Sequence, residues 1–400
     1  MARTRRQRDV PPPLPPLRPT RPGPLRRRSR GGMRMPARPL FRADHVGSLL
    51  RPARLREAFR QHREGLVGEA EFARIQDEAI RSAVAMQEAV GLHAVTDGEF
   101  RRSSYWAHFV DAVDGLEVAP ALFEFSDASG RRMAFTAPSG TGEIRRTRPI
   151  SGAEFRFLRD ATPRTPKITM PSPSTMHFWR GPAGIAGTPY ASAAEFLTEV
   201  AAVYREEIAE LTALGATYLQ LDEVALAMLC DPDVQEAVTA RGEDPGELVG
   251  LYVEAIHQAL RDRPADTTAA IHLCRGNYKG RWMAAGGYEA VAQRLFGGSG
   301  VDVFFLEFDS PRAGDFAPLR HVPSDVGVLL GLVSSKTPQL ESRGEILDRI
   351  DAASRHMPVE RLGLSPQCGF ASTAAGNPLT EEDQKRKLAL VVEVADEVWL

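Results

Sequence analysis

From Phe41 onward the chain alternates short apolar runs with longer stretches of helical periodicity. The runs read as eight strands: FRADHVGS (41–48), HAVTDGEF (93–100), KITMPSP (167–173), TYLQLDEV (217–224), AAIHLCRG (269–276), DVFFLEFD (302–309), VGVLLGLVS (326–334) and RLGLSPQCG (361–369). Between them, residues 69–91, 191–215 and 343–357 carry helical spacing, the first two closed by Gly91 and Gly215. Repeated strand-helix units predict an α/β protein with a parallel sheet, and eight of them predict a (β/α)8 TIM barrel. Residues 117–166 break the rhythm. RRMAFTAPSGTGEIRRTRPISG alternates as antiparallel strands do, which predicts an excursion on the barrel rather than a separate domain.

Composition narrows the class. At 400 residues and 43% hydrophobic content, the chain can bury a large core. No run of about 18 apolar residues occurs, so no membrane span is expected. Three cysteines in so long a chain argue against a disulfide scaffold and fit a reducing cytoplasm. The net charge of −2 hides an asymmetry, because residues 1–38 hold twelve Arg against one Asp. The body from residue 39 to 400 is therefore acidic, and the Arg/Pro-rich extension 1–38 is expected to be disordered, having no apolar periodicity to bury. It lacks the interleaved aromatics of a nucleic-acid arm and the apolar segment of a signal peptide, so neither a nucleic-acid nor a membrane partner is expected. Met33 and Met35 are alternative starts that would omit most of it.

The chemistry gathers at the C-terminal ends of the predicted strands, where barrel enzymes keep their reactive groups: Glu99, Asp222, Glu223, Cys274, Glu307 and Cys368. His272 and Cys274, two residues apart on an extended segment, project to one face. With Glu307 and Cys368 they would form a shell of one nitrogen, one oxygen and two sulfurs, which suits Zn2+. Taken singly, His272 would read as a satisfied core histidine and either cysteine as a small buried hydrophobe. The combination at successive strand ends is what points to metal. Asp222 and Glu223 lie on opposite strand faces, and Asp222 is the one expected to point inward.

These residues resemble the catalytic C-terminal barrel of the cobalamin-independent methionine synthases over roughly residues 40–398, and in particular a short single-barrel branch. The resemblance implies a zinc enzyme that moves a methyl group from a 5-methyltetrahydrofolate to homocysteine, with small-molecule partners only. It implies His272, Cys274, Glu307 and Cys368 as metal ligands, the last in SPQCG. HVGSLLRP resembles the segment contacting the amino acid, giving Val46, Gly47 and Ser48, while DGEFRRS and LQLDEVAL give Glu99 and Asp222 as the acids for its ammonium. IRRTRP resembles a folate-contacting stretch, giving Arg145 and Arg146, and PSTMHFW places Trp179 beside the pterin.

The chain departs from the longer synthases in three ways. Where they carry a second histidine as proton donor, it reads VLLGLVSSKTPQLE, with Ser334, Ser335 or Lys336 instead. The gap between Cys274 and Glu307 is lengthened around RGNYKGRWMAAGG, and no duplicate N-terminal barrel is present. The resemblance also extends to zinc thiol alkyltransferases of the epoxyalkane:coenzyme M type, in which RGNYKGR would meet an anionic thiol, and methylcobalamin is an alternative donor. A metal-free barrel of the uroporphyrinogen decarboxylase type would have no need of the two cysteines and the glutamate.

Overall fold

The computed structural model describes residues 40–126, 132–374 and 376–400. The extension 1–38 lies outside the described residues. The described residues contain ten strands: β1 Ala94–Val95, β2 Val113–Ser126, β3 Arg132–Arg146, β4 Thr165–Pro166, β5 Ile168–Pro171, β6 Tyr218–Glu223, β7 Thr268–Leu273, β8 Val303–Glu307, β9 Gly327–Val333 and β10 Leu362–Pro366. β5 to β10 form one parallel sheet in sequential order. β4 pairs in parallel with β1 and runs through Lys167, whose N–H donates to Val95 O, into β5. Ala43 bridges Leu364 of β10, which brings the start of the barrel back to its end.

Seven of the eight expected strands form ladders, and the first does not. Residues 41–48 make a single parallel bridge and then leave the ladder. The reason is that side chains take over its backbone groups: the Val46 carbonyl accepts from Gln220 Nε2 and the Gly47 carbonyl from Thr96 Oγ1. Beyond Arg42 and Asp44, which bond to Leu364, these carbonyls are satisfied by side chains rather than by a neighbouring strand. The expected helices appear as Glu69–Ala89, Ala193–Ala213 and Arg343–Ser354. No helix among the described residues is long and apolar enough to cross a membrane.

The excursion is an antiparallel β2–β3 hairpin, beginning at Val113 rather than 117, with its tip (127–131) outside the described residues. Helix Gly152–Ala161 then returns the chain to β4. The hairpin packs on the barrel wall: Leu122 N–H donates to Trp179 O, Ile144 N–H donates to Tyr190 Oη, and Ala137 is fully buried.

The lower barrel interior is filled by Val46, Ala94, Tyr218, Ala270, Val303, Phe305 and Leu329. Lys167 enters this layer. Its Nζ lies 2.8 Å from Asp44 Oδ1 and 4.7 Å from the Phe305 ring centroid, while Tyr218 Oη donates to Asp44 Oδ2 at 2.7 Å. The ion pair is fully buried, so each remaining acceptor must be filled. Tyr218→Phe removes one donor to a carboxylate and is expected to cost about 1.5–3 kcal/mol, read as a lower urea midpoint at unchanged slope.

Candidate functional site

His272 and Cys274 come from the end of β7, Glu307 ends β8, and Cys368 follows β10 by two residues. Parallel strands carry all of these side chains to the same barrel mouth. The ligating atoms of His272, Cys274 and Cys368 lie within 4.8 Å of one another, and all three residues are buried. The two Sγ atoms are 3.3 Å apart and not bonded as a disulfide. Among the described residues neither His272 ring nitrogen has a hydrogen-bond partner. A buried imidazole with two idle nitrogens, facing two buried thiols, is a polar group left for a cation to satisfy. The donor set therefore fits a soft divalent metal such as zinc.

The electrostatics agree. Cys368 is held well below the ordinary thiol value, first by the hydrogen bond from Cys274 and then by His272. Cys274 is pushed well above it for the mirror-image reason, aided by burial. The pair thus shares one proton that a bound cation would displace. Burial works against charge on His272, but Cys368, Asp222 and Glu307 outweigh it and raise its pKa.

Glu307 stands just outside the three-residue group. Its Oε2 accepts from Arg275 N at 2.9 Å, and its Oε1 lies 3.5 Å from both Lys336 Nζ and Arg312 Nη2. Burial would raise its pKa, yet Lys336, Arg275 and Arg312 bring it below the usual carboxylate value. Of the residues standing where the longer synthases have a second histidine, Ser334 donates to Asp309 and Ser335 to Gln367, whereas Lys336 faces the site. Arg312 escaped the sequence reading, and nothing marked it. Arg275 entered that reading only as the first residue of RGNYKGR, expected to meet an anionic thiol, and the structure places it against Glu307 instead.

Asp222 pairs in register with His272, which puts Asp222 beside the thiol group. Glu223 points the other way and is consumed locally, accepting from Leu226 N and Ser174 Oγ. Burial first and the charge of Glu99 second raise the Asp222 pKa to about 7. Burial also raises Glu99. Glu99 is held by a relay: Arg102 is paired with Glu154 at 2.7 Å, donates to Thr169 Oγ1 at 2.9 Å, and Thr169 in turn donates to Glu99 Oε1 at 2.9 Å. Glu99 has φ +60°, an uncommon backbone state for a non-glycine residue, and Asp97 Oδ1 caps its N–H at 2.8 Å.

Gly47 lies against the Glu99 half of this site and Ser48 against the segment after Cys368, whereas Val46 belongs to the apolar layer of the lower barrel interior. A Cβ on Gly47 would sit 2.6 Å from Thr169 Cγ2, and its φ of +138° is itself a glycine conformation. On the metal side, a Cβ on Gly369 would fall 2.0 Å from Ser48 Oγ, so this glycine lets the first loop close onto the segment after Cys368. Two expected residues stand apart. Arg145 is exposed on the hairpin and paired with Asp114 at 3.0 Å; Arg146 is spent on Glu207, at 2.7 Å, and on Glu210. Trp179 is buried, edge-on to Phe135 at 5.1 Å, and its indole N–H has no partner among the described residues. The 275–287 insert folds inward: Asn277 Nδ2 donates to Gly369 O at 2.9 Å, and Arg275 Nη2 donates to Gly286 O at 2.7 Å.

A sequence profile described as the catalytic domain of the cobalamin-independent synthases matches residues 41–397. The chain belongs to that family. Among its relatives, the Bacillus subtilis protein YxjH is 38% identical over 90% of this chain and 95% of its own length. A methionine synthase from Pyrococcus abyssi is 25% identical over 83% of this chain and 87% of its own. A 5-methyltetrahydropteroyltriglutamate–homocysteine methyltransferase from Synechococcus is 24% identical over 81% of this chain, which spans only 40% of that longer protein. A candidate vitamin-B12 independent methionine synthase structure from Listeria monocytogenes superposes with TM-score 0.70 at 32% identity, covering 90% of this chain and 98% of that one. A Shewanella B12-independent methionine synthase gives TM-score 0.68 at 21% identity over 90% and 98% of the two chains, and supports the fold.

Proposed function

We propose that the protein transfers a methyl group to the thiol of homocysteine, forming methionine, with zinc as its resident metal and a 5-methyltetrahydrofolate as donor. One observation carries this reading: the His272–Cys274–Cys368 group opens beside a second, separate carboxylate pair, Glu99 and Asp222. A thiol and an ammonium on one small molecule match those two halves. The relatives named as methionine synthases and homocysteine methyltransferases support the acceptor and the donor class.

His272, Cys274 and Cys368 would hold the zinc, with Glu307 as a fourth donor at its edge. Zinc there would supply Lewis-acid activation of a thiol that is otherwise mostly protonated at neutral pH. Glu99 and Asp222 would bind the ammonium by charge-assisted hydrogen bonds, and the Arg102–Thr169 relay keeps Glu99 aimed. The Val46–Gly47–Ser48 turn would contact the amino-acid backbone. Trp179, whose indole N–H has no partner among the described residues, would lie on the donor side. Arg145 and Arg146 would reach a donor only by leaving their present ion pairs. A sulfonate-bearing thiol would bring an anion against Glu99 and Asp222, which favours the aminothiol over a coenzyme M-type substrate.

Zinc-replete protein incubated with homocysteine and, separately, methyltetrahydrofolate, its polyglutamylated form, methylcobalamin or an epoxide tests the reading by methionine formation. Methionine is expected from a folate donor. Turnover with methylcobalamin alone would change the donor, epoxide consumption would change the reaction, and no turnover with any methyl donor would overturn the proposal.

A further inference from the structure

Lys336 occupies the loop after β9 with its side chain 5% exposed, and Glu307 is the hydrogen-bond partner of its ammonium among the described residues, at 3.5 Å. The loop is built to hold it. Ser335 N donates to Gln367 Oε1 at 2.9 Å, Asn377 Nδ2 donates to Ser335 O at 2.7 Å, and Ser334 Oγ donates to Asp309 Oδ2 at 2.8 Å. A buried ammonium is costly unless its charge is matched. Here Glu307 is shared between Lys336, Arg312 and the backbone of Arg275, and Arg312 also lies 3.7 Å from Asp309, so the Arg312 charge is matched while Lys336 has only a shared carboxylate.

The other two cations have further partners. Arg312 stacks over the Trp282 ring at 4.2 Å, and Arg275 is tied to Gly286 O and lies 4.2 Å over the Tyr288 ring. The charges that act on Lys336 are Glu307 first, then Asp309, Cys274 and Cys368. Consider the formal charge with the site loaded. Two thiolates, one carboxylate and a divalent ion sum to minus one, and an incoming thiolate makes minus two. With Lys336 counted, the loaded site starts neutral and ends at minus one rather than minus two, so the incoming thiolate meets no net negative charge. At the low effective dielectric of a buried site that difference is large.

Building on the proposed metal-thiol chemistry, we infer that Lys336 is a positioning residue acting as a fixed counter-charge, which sets the affinity of the loaded site for an anionic substrate sulfur. Its neutral near-isostere should load metal normally and bind thiol poorly.

The test uses the full chain loaded with zinc or with cobalt(II), as wild type, Lys336→Met and Lys336→Arg. Metal content is measured by mass spectrometry, homocysteine affinity by calorimetry, and thiolate formation by the sulfur-to-cobalt absorption band as a function of pH. Lys336→Met is expected to keep its metal, to bind homocysteine on the order of 10-fold more weakly or worse, and to develop the absorption band about one pH unit higher. Lys336→Arg is expected to recover most of both. Wild-type affinity in Lys336→Met would overturn the inference, as would loss of metal in that variant or failure of the arginine to rescue. If wild-type loaded protein itself bound no homocysteine, the thiol reading would fail first, and the inference with it.

Discussion

Cys368→Ser protein is expected to lose its metal during purification while remaining folded. Serine keeps the shape of the side chain, but its hydroxyl offers no thiolate, and Cys368 is the more acidic partner of the sulfur pair. Three buried donors bring their ligating atoms within 4.8 Å of one another, and removing one leaves an imidazole and a single thiol that no longer define a site. Metal analysis should find less than about half an equivalent in Cys368→Ser, and the same in Cys274→Ser. Activity should fall at least about 30-fold, because an unassisted thiol of pKa near 8.5 is only about 3% ionised at pH 7. Circular dichroism matching the wild type would separate this result from misfolding. A serine variant that keeps a full equivalent of zinc would remove Cys368 from the ligand set.

The second large effect concerns the ammonium half of the site. Asp222 titrates at about 7, through burial first and its neighbour Glu99 second, and an ammonium binds best once it is ionised. Homocysteine affinity should therefore rise as pH increases through about 7, and binding below that pH should release a proton. Calorimetry in two buffers of different ionisation enthalpy reads the release directly. The stability contribution runs the other way. Because the folded pKa lies above the unfolded value of 3.8, the folded state binds the extra proton between about 4 and 7, and the stability contribution of this group is lost as pH rises through its folded pKa. Asp222→Asn should remove the Asp222 share of the proton release and leave that of the thiol, flatten that slope and weaken homocysteine on the order of 10–100-fold, the range expected when a charged hydrogen bond is lost. Unaltered affinity in Asp222→Asn would mean that the amino group is held elsewhere.

Much of this architecture was legible in the chain because periodicity and strand ends are local properties. The His-x-Cys spacing puts both groups on one face whatever the rest of the fold does, and the parallel strands carry Glu307 and Cys368 to the same end. What a strand will pair with is not local. Residues 41–48 have strand spacing, yet Gln220 and Thr96, far away in sequence, take their carbonyls. The relay that aims Glu99 joins residues up to 70 positions apart and leaves no pattern to read. Long cationic side chains are the hardest case. Arg146 resembles a ligand contact and is spent on Glu207, whereas Arg312 carries no signature and reaches Glu307.

The 3.3 Å between Cys274 and Cys368 has a consequence for how such a protein survives. A disulfide needs its sulfurs at about 2.05 Å, so a shift of little more than 1 Å would join them. One of the two already has thiolate character, the state that attacks. Metal-free protein is therefore expected to be an oxidation target at its own centre, and a bound ion would keep the two sulfurs apart. Loss of metal and loss of reducing conditions would then converge on one inactive form, which a thiol reductant followed by zinc should revive and zinc alone should not.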